Sequence, residues 1–219
     1  SHVQGTTNNN NIIYEKDTCV VTGGGLAGAA RLVKQGDGVL CLPKVEMTHT
    51  GNTDIWAGTV NFDGTMKHSP LYMSRFAELN SDGGEFHSIR MDYASVLRPG
   101  GAAQIGEITA DSLALGFGSF VEIDICGADL AADLIKARSI SLETKDWNYG
   151  PEYMQPVFRF VIQDGTELAD GAYTIAMVDN IVGDIASIKV VGTGSKKAYL
   201  THADGKLSLV VEGVRGAAT

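Results

Sequence analysis

The sequence predicts an all-β fold, and three observations carry that reading. Gly and Asp-Gly punctuation runs through nearly the whole chain, with 27 Gly and only 5 Pro in 219 residues. The segments between these marks are short, alternate apolar with polar residues, and favour β-branched and aromatic side chains. No segment sustains a long helical period; 70–79 and 128–137 could each form a helix of about ten residues, near the lower limit, and read as excursions.

The elements follow from the punctuation. Gly23-Gly24-Gly25, Gly36-Asp37-Gly38, Asp63-Gly64, Asp82-Gly83-Gly84, Gly100-Gly101, Asp164-Gly165, Asp170-Gly171 and Asp204-Gly205 mark turns. Strands are expected at 39–42, 54–62, 88–96, 112–115, 120–125, 139–142, 157–162, 173–178, 187–191 and 207–211. Alternation puts Ile55 and Trp56 on opposite faces, and separates Val121, Ile123 and Ile125 from Glu122 and Asp124. Ile55, Val60, Leu113 and Ile123 are expected inside. Evenly spaced short strands fit a sandwich, a barrel or a solenoid. With no linker in sight, 1–219 reads as one domain. Residues 1–10, opening on Ser1-His2 and an Asn run, read as a tag remnant and lead-in to a piece cut from a larger protein, so this start carries no signal peptide and says nothing about export.

Composition bounds the partners. Hydrophobic content of 44% and a mean hydropathy of +0.02 exclude a disordered chain, and no apolar run reaches the roughly 18 residues of a membrane-spanning helix. The net charge of −9 and pI of about 4.9 argue against nucleic acid and anionic lipid, which need clustered Lys and Arg. The one basic doublet, Lys196-Lys197, is expected at a turn. A neutral polymer meets no such objection. The 3 Cys are too few for a disulfide framework. Metal-ligand spacing is absent, and His49, His68, His87 and His202 read as turn or surface residues. No metal or other cofactor is expected, although Asp-Gly turns offer oxygens to a structural calcium ion.

The stretch 25–60 reads GLAGAARLVKQGDGVLCLPKVEMTHTGNTDIWAGTV. It resembles the autotransporter-associated β-strand repeat through Lys34, Gly36, Gly38, Leu40, Leu42, Thr50, Gly51, Thr53, Ile55, Ala57, Gly58, Thr59 and Val60, with His49 in place of the usual aromatic and Pro43 in place of a small polar residue. That resemblance implies coils of a right-handed parallel β-helix. The 22-residue offset of Cys19 and Cys41 suits one coil, so adjacent coils are expected to stack the two thiols as a free pair. The final third, with IKARSISLE, GAYTIAMVDNIVGD and AYLTHADGKLSLVVEGVR, resembles the terminal coils of β-helical regions in glycan-degrading proteins of gut bacteria. A further resemblance is to the family 89 β-helical carbohydrate-binding modules attached to xylanases.

Candidate binding residues are aromatic. Trp56 points away from the interior face of its strand, and either packs under a crossing loop such as 67–73 or stands as a stacking platform. The segment 145–155 reads KDWNYGPEYMQ, gathering Trp147, Tyr149 and Tyr153 around a Gly-Pro turn with Asp146, Asn148, Glu152 and Gln155 between them. Aromatic faces pack on the C–H faces of sugar rings while amides and carboxylates bond the hydroxyls. The alternative is a loop folded onto the coil with its rings inward. For an enzyme, the carboxylates Glu122 and Asp124 share a strand face at a spacing that glycoside hydrolysis could use, but a solvated outer face explains them as well. The Asp-Asp pairing of β-helical hydrolases and the Gly-x-Ser-x-Gly elbow of acyl hydrolases are absent, and 23–28 lacks the strand-turn-helix setting of a dinucleotide site.

These readings favour a non-catalytic carbohydrate-binding module, secreted or on a bacterial surface, that recognises plant cell-wall polysaccharide. The family resemblance makes xylan the ligand and a xylanase the attached catalytic domain. The alternatives are a secreted adhesin or autotransporter passenger fragment, and a β-helical polysaccharide lyase or hydrolase.

Overall fold

The computed structural model describes residues 10–13, 18–21, 24–101, 103–127, 129–143, 155–163, 165 and 167–213. The chain winds between two long sheets. The first takes β1 (Asn10–Ile13), β3 (Leu32–Gln35), β5 (Thr53–Ile55), β7 (Thr65–Met73), β9 (Gly84–Met91), β11 (Glu107–Leu115), β14 (Leu134–Leu142) and β16 (Gly171–Val182) side by side, all parallel. The second takes β2 (Thr18–Val20), β4 (Val39–Leu42), β6 (Thr59–Phe62), β8 (Glu78–Ser81), β10 (Val96–Pro99), β12 (Phe120–Cys126), β15 (Val157–Ile162) and β17 (Lys189–Val191), also all parallel. Strict alternation between the two sheets is a parallel β-helix, as expected; the right-handed sense is the one general to parallel crossovers.

Alternation of side chains builds the interior. Ile55, Val60, Leu113 and Ile123 are all at most 5% exposed, as their strand positions predict. One apolar cluster is continuous from Leu32 to Val211. In the long strands β9, β11 and β14 the alternation slips once, and His87, Asp111 and Arg138 stand outward at that corner, joined as His87–Asp111 at 3.4 Å and Arg138–Asp111 at 2.9 Å. The first sheet ends differently from the rest: β16 pairs antiparallel with β19 (Lys206–Glu212), and β19 with β18 (Lys197–Ala203), so a hairpin closes that end. The Lys196-Lys197 doublet opens this hairpin, pairing with Asp170 and Glu212.

The repeat pattern at 34–60 acquires a physical meaning. Lys34 lies inside the coil, 1% exposed, and its ammonium donates to the carbonyls of Gln35 at 3.2 Å, Gly36 at 2.6 Å and Ala57 at 2.8 Å. It ties two successive turns together, and burial lowers its pKa. Gly58, at φ 72°, must be glycine here: a Cβ would fall 2.4 Å from the Gly36 carbonyl and 2.6 Å from the Lys34 ammonium.

Several expectations are corrected. The 70–79 segment is strand, turn and strand, and 128–137 contributes a short antiparallel arm, β13 (Ala131–Ala132), and the start of β14. Length had left the helix reading open, and pairing to neighbouring coils overrode it. The expected strands 54–62 and 88–96 are each broken by a turn. Cys19 and Cys41 are free and lie on adjacent strands, but the register sets Cys19 opposite Leu40 and Cys41 opposite Val20. That one-residue offset puts the two thiols on opposite faces, so they do not stack. His49 is buried at 1%, not at the surface. Its Nε2 meets the Thr53 hydroxyl at 2.8 Å, which meets the Ser69 hydroxyl at 2.9 Å, which donates to the Gly51 carbonyl at 2.6 Å.

Candidate functional site

At one edge of the solenoid each coil turns from the first sheet to the second. Three successive turns, 74–77, 92–95 and 116–119, are built alike. The fourth residue donates its N–H to the first carbonyl at 3.1 Å in each: Ala77 to Ser74, Ser95 to Asp92, Ser119 to Gly116. Those fourth residues are fully buried. The two serines donate their hydroxyls to the same carbonyls, at 2.6 and 2.7 Å. The third residue is left-handed in each turn, Phe76 at φ 62°, Ala94 at 56° and Gly118 at 63°.

The second residues form a column along the axis. The Arg75 guanidinium lies 5.9 Å from the Tyr93 ring centre, and the Tyr93 ring lies 5.8 Å from Phe117 at an interplanar angle of 31°. Phe76 meets Tyr93 edge-on, at 6.5 Å and 78°. Its own ring is 69% exposed, the highest value among the exposed large apolar side chains described. A left-handed conformation costs a residue with a Cβ roughly 1–2 kcal/mol, which is why Gly or Asn ordinarily fills it. A phenylalanine held there and turned to solvent is poor design for stability alone, and such strain concentrates where a surface binds something.

Trp56 lies at the same edge, in the turn between β5 and β6. It is 44% exposed. The 67–73 segment is part of β7 and forms no crossing loop over it. Instead Arg31, ion-paired to the buried Asp54, sits 5.4 Å from the Trp56 ring centre. Trp147, Tyr149, Tyr153, Asp146, Asn148 and Glu152 lie outside the described residues. In the chain they lie between β14 and β15. The flanks are fixed there: Glu143 donates its N–H to Leu115 at 2.9 Å, and Gly118 donates to the Gln155 carbonyl at 3.2 Å. Sequence reasoning missed Arg75, Phe76, Tyr93 and Phe117. The available signal was the shared turn frame of SRFA, DYAS and GFGS, each just before an apolar-alternating strand.

The acidic pair resolves into two unlike residues. Glu122 belongs to a side-chain ladder on the outer face of the second sheet, one residue per coil. Asn61 donates to the Cys41 sulfur at 3.4 Å, Asn80 to Asn61 at 2.8 Å, and Arg98 to Asn80 at 3.3 Å and to Glu122 at 2.7 Å. Arg159 then donates to Glu122 at 3.1 Å. Asp124 is only 4% exposed, correcting the solvated-face reading: the 103–104 backbone and Gln163 cover it, and Gln163 donates to it at 2.6 Å. Burial raises its pKa.

Beside it Asp133 is fully buried and accepts the N–H of Gly106 at 2.8 Å and of Asp124 at 2.7 Å. Desolvation, with help from Asp124 and Asp82, pushes its pKa up to about 8. It clasps the 100–106 loop to β12. That loop walls an open cleft of about 370 Å³ on the opposite edge, lined by Asn61, Asp63, Asn80, Asp82 and Gln104 among others. Among the described residues no three His, Cys, Asp or Glu gather as a metal-binding group.

No protein-family model and no curated protein matches this chain. Among solved structures, the crystal structure of the Haemophilus influenzae Hap adhesin is similar at 11% identity and a TM-score of 0.45, over 92% of this chain and 24% of that one. This chain thus spans about a quarter of that protein's length.

Proposed function

We propose that this chain is a non-catalytic, extracellular binding module that docks a polysaccharide against its aromatic turn edge. The observation that carries the reading is Phe76, exposed at a left-handed turn position at the head of the Tyr93–Phe117 stack. An exposed ring offers a face to the C–H surface of a pyranose, and successive coils repeat the edge along the axis, as a polymer ligand requires. The sequence resemblance makes xylan the first polymer to test. A catalytic domain joined to the module would then meet its substrate at raised effective concentration, without chemistry in the module itself.

The test is affinity electrophoresis through gels containing xylan, mixed-linkage glucan or pectin, with product release measured in parallel. Wild type is expected to be retarded by at least one polymer and to release no reducing ends or unsaturated products. Phe76→Gly is expected to lose retardation while its melting temperature holds or rises, since glycine relieves the left-handed strain. Retardation unchanged in Phe76→Gly, or clear turnover by a clean preparation, overturns the reading.

A second reading, an adhesin or autotransporter passenger fragment, is favoured by the repeat at 34–60, whose Lys34 and Gly58 hold coil-building positions. It predicts adhesion to cells or to other solenoids with no retardation by any glycan.

A further inference from the structure

We propose that the ligand of the turn edge is an acidic polysaccharide, with Arg75 receiving a sugar carboxylate beside the Phe76 and Tyr93 rings. This deepens the polysaccharide reading above and rests on it. Arg31, Arg90, Arg98, Arg138 and Arg159 each hold an Asp or Glu carboxylate. Arg75 is the one arginine among the described residues with no ion pair, and its contact is the Tyr93 ring. In a chain with 26 acidic against 17 basic residues, protein carboxylates are in surplus. A guanidinium left without one, exposed and placed directly before the displayed Phe76, is set for a carboxylate that the protein does not supply.

The geometry suits a uronic acid. A guanidinium presents parallel N–H donors that match both oxygens of a carboxylate, and the Arg75 guanidinium is held over the Tyr93 ring at 5.9 Å from its centre. A uronate carries that carboxylate on a ring whose C–H face is apolar, so one residue can engage Arg75 and Phe76 together. The net charge of −9 argues against polyanions in bulk, but a Debye length of about 10 Å at 0.1 M salt leaves a local contact free to form. The expectation of a neutral partner, drawn from net charge, thereby gives way at this one edge.

The experiment compares two acidic polymers with their neutral forms: glucuronoxylan against its carboxyl-reduced product, and polygalacturonate against its full methyl ester. Wild type is expected to bind one acidic form about tenfold more tightly than its neutral counterpart, the scale of a charge-assisted hydrogen bond. The glucuronoxylan and polygalacturonate arms identify which uronate is read. Arg75→Gln is expected to erase that preference at unchanged melting temperature, and Arg75→Lys to recover only part of it. If the acidic and neutral forms bind alike and Arg75→Gln changes nothing while Phe76→Gly still loses binding, the acidic assignment is overturned and the polysaccharide reading stands. If no form of either polymer binds, both fall.

Discussion

At the scale of single residues, buried polar groups decide how this interior responds to pH. Asp133 and His49 act in opposite directions. The Asp133 pKa rises from 3.8 in the open chain to about 8 when folded, so the native state holds a proton that the unfolded state gives up. Its contribution to stability is complete below the unfolded value and is lost as pH climbs toward about 8. Burial lowers the His49 pKa, so its contribution is present above the ordinary value of about 6.5 and is lost instead as pH falls below it. Asp133→Asn removes the first titration and leaves the second. Urea unfolding from about pH 5 to about pH 8 is expected to show wild-type stability declining relative to the variant with rising pH. A constant offset between them, with no pH slope, would mean that Asp133 is ionised in the fold. Neither residue announces itself in sequence: Asp133 reads as one more acidic residue, and His49 as a departure from the aromatic common at that repeat position.

At the scale of elements, register converts scattered polar residues into the ladder on the second sheet. Asn61, Asn80, Arg98, Glu122 and Arg159 are 18–37 residues apart in the chain and adjacent in space. Arg98 is its hinge, 18% exposed, bonded to Glu122 at 2.7 Å and to Glu78 at 2.9 Å. Replacing it with Met leaves Glu122 with Arg159 alone and Glu78 with the Thr59 hydroxyl at 3.3 Å, and is expected to cost about 1.5–3 kcal/mol in urea unfolding. Arg138→Met serves as the contrast. That side chain is 71% exposed in its pair with Asp111, and such pairs are worth about 0–1 kcal/mol. Equal losses at the two sites would show that the ladder adds nothing beyond surface charge.

The strand faces were legible where period-two alternation holds, as in β4, β6, β8 and β10, and Ile55 and Ile123 fell inside as expected. The ladder and the Arg75–Tyr93–Phe117 column were not. Their alignment depends on coil lengths that differ from turn to turn, and a one-residue error in register moves a side chain to the other face. Cys19 and Cys41 show this directly: the cysteine spacing suggested a 22-residue coil, the register makes it 21, and that difference of one separates the thiols.

At the scale of the whole molecule, stability in a solenoid is carried between neighbouring coils, so an end coil has half the contacts of a middle one. The two ends here are unlike. At one end β2 has, among the described residues, a single neighbour, β4, and Cys19 and Val21 only partly cover the core, with Val20 at 56% exposure. At the other, the first sheet is closed by the antiparallel β18–β19 hairpin, whose Leu207, Leu209 and Val211 are at most 2% exposed. Unpaired strand edges open most readily, while fully packed strands open only with the global unfolding event. Native-state hydrogen exchange is therefore expected to give the greatest protection in β7 through β12, intermediate protection in β19, and the least in β2. The order follows from the packing of Leu79, Leu97, Leu113 and Val121, all at most 1% exposed, between coils on both sides. Val20→Thr, which changes an outward side chain on the β2 edge, is expected to raise exchange in β2 and β4 and leave β10 untouched. Uniform protection from β2 to β19 would instead mean that the chain opens as one unit, with the coils too strongly coupled for either end to fray alone.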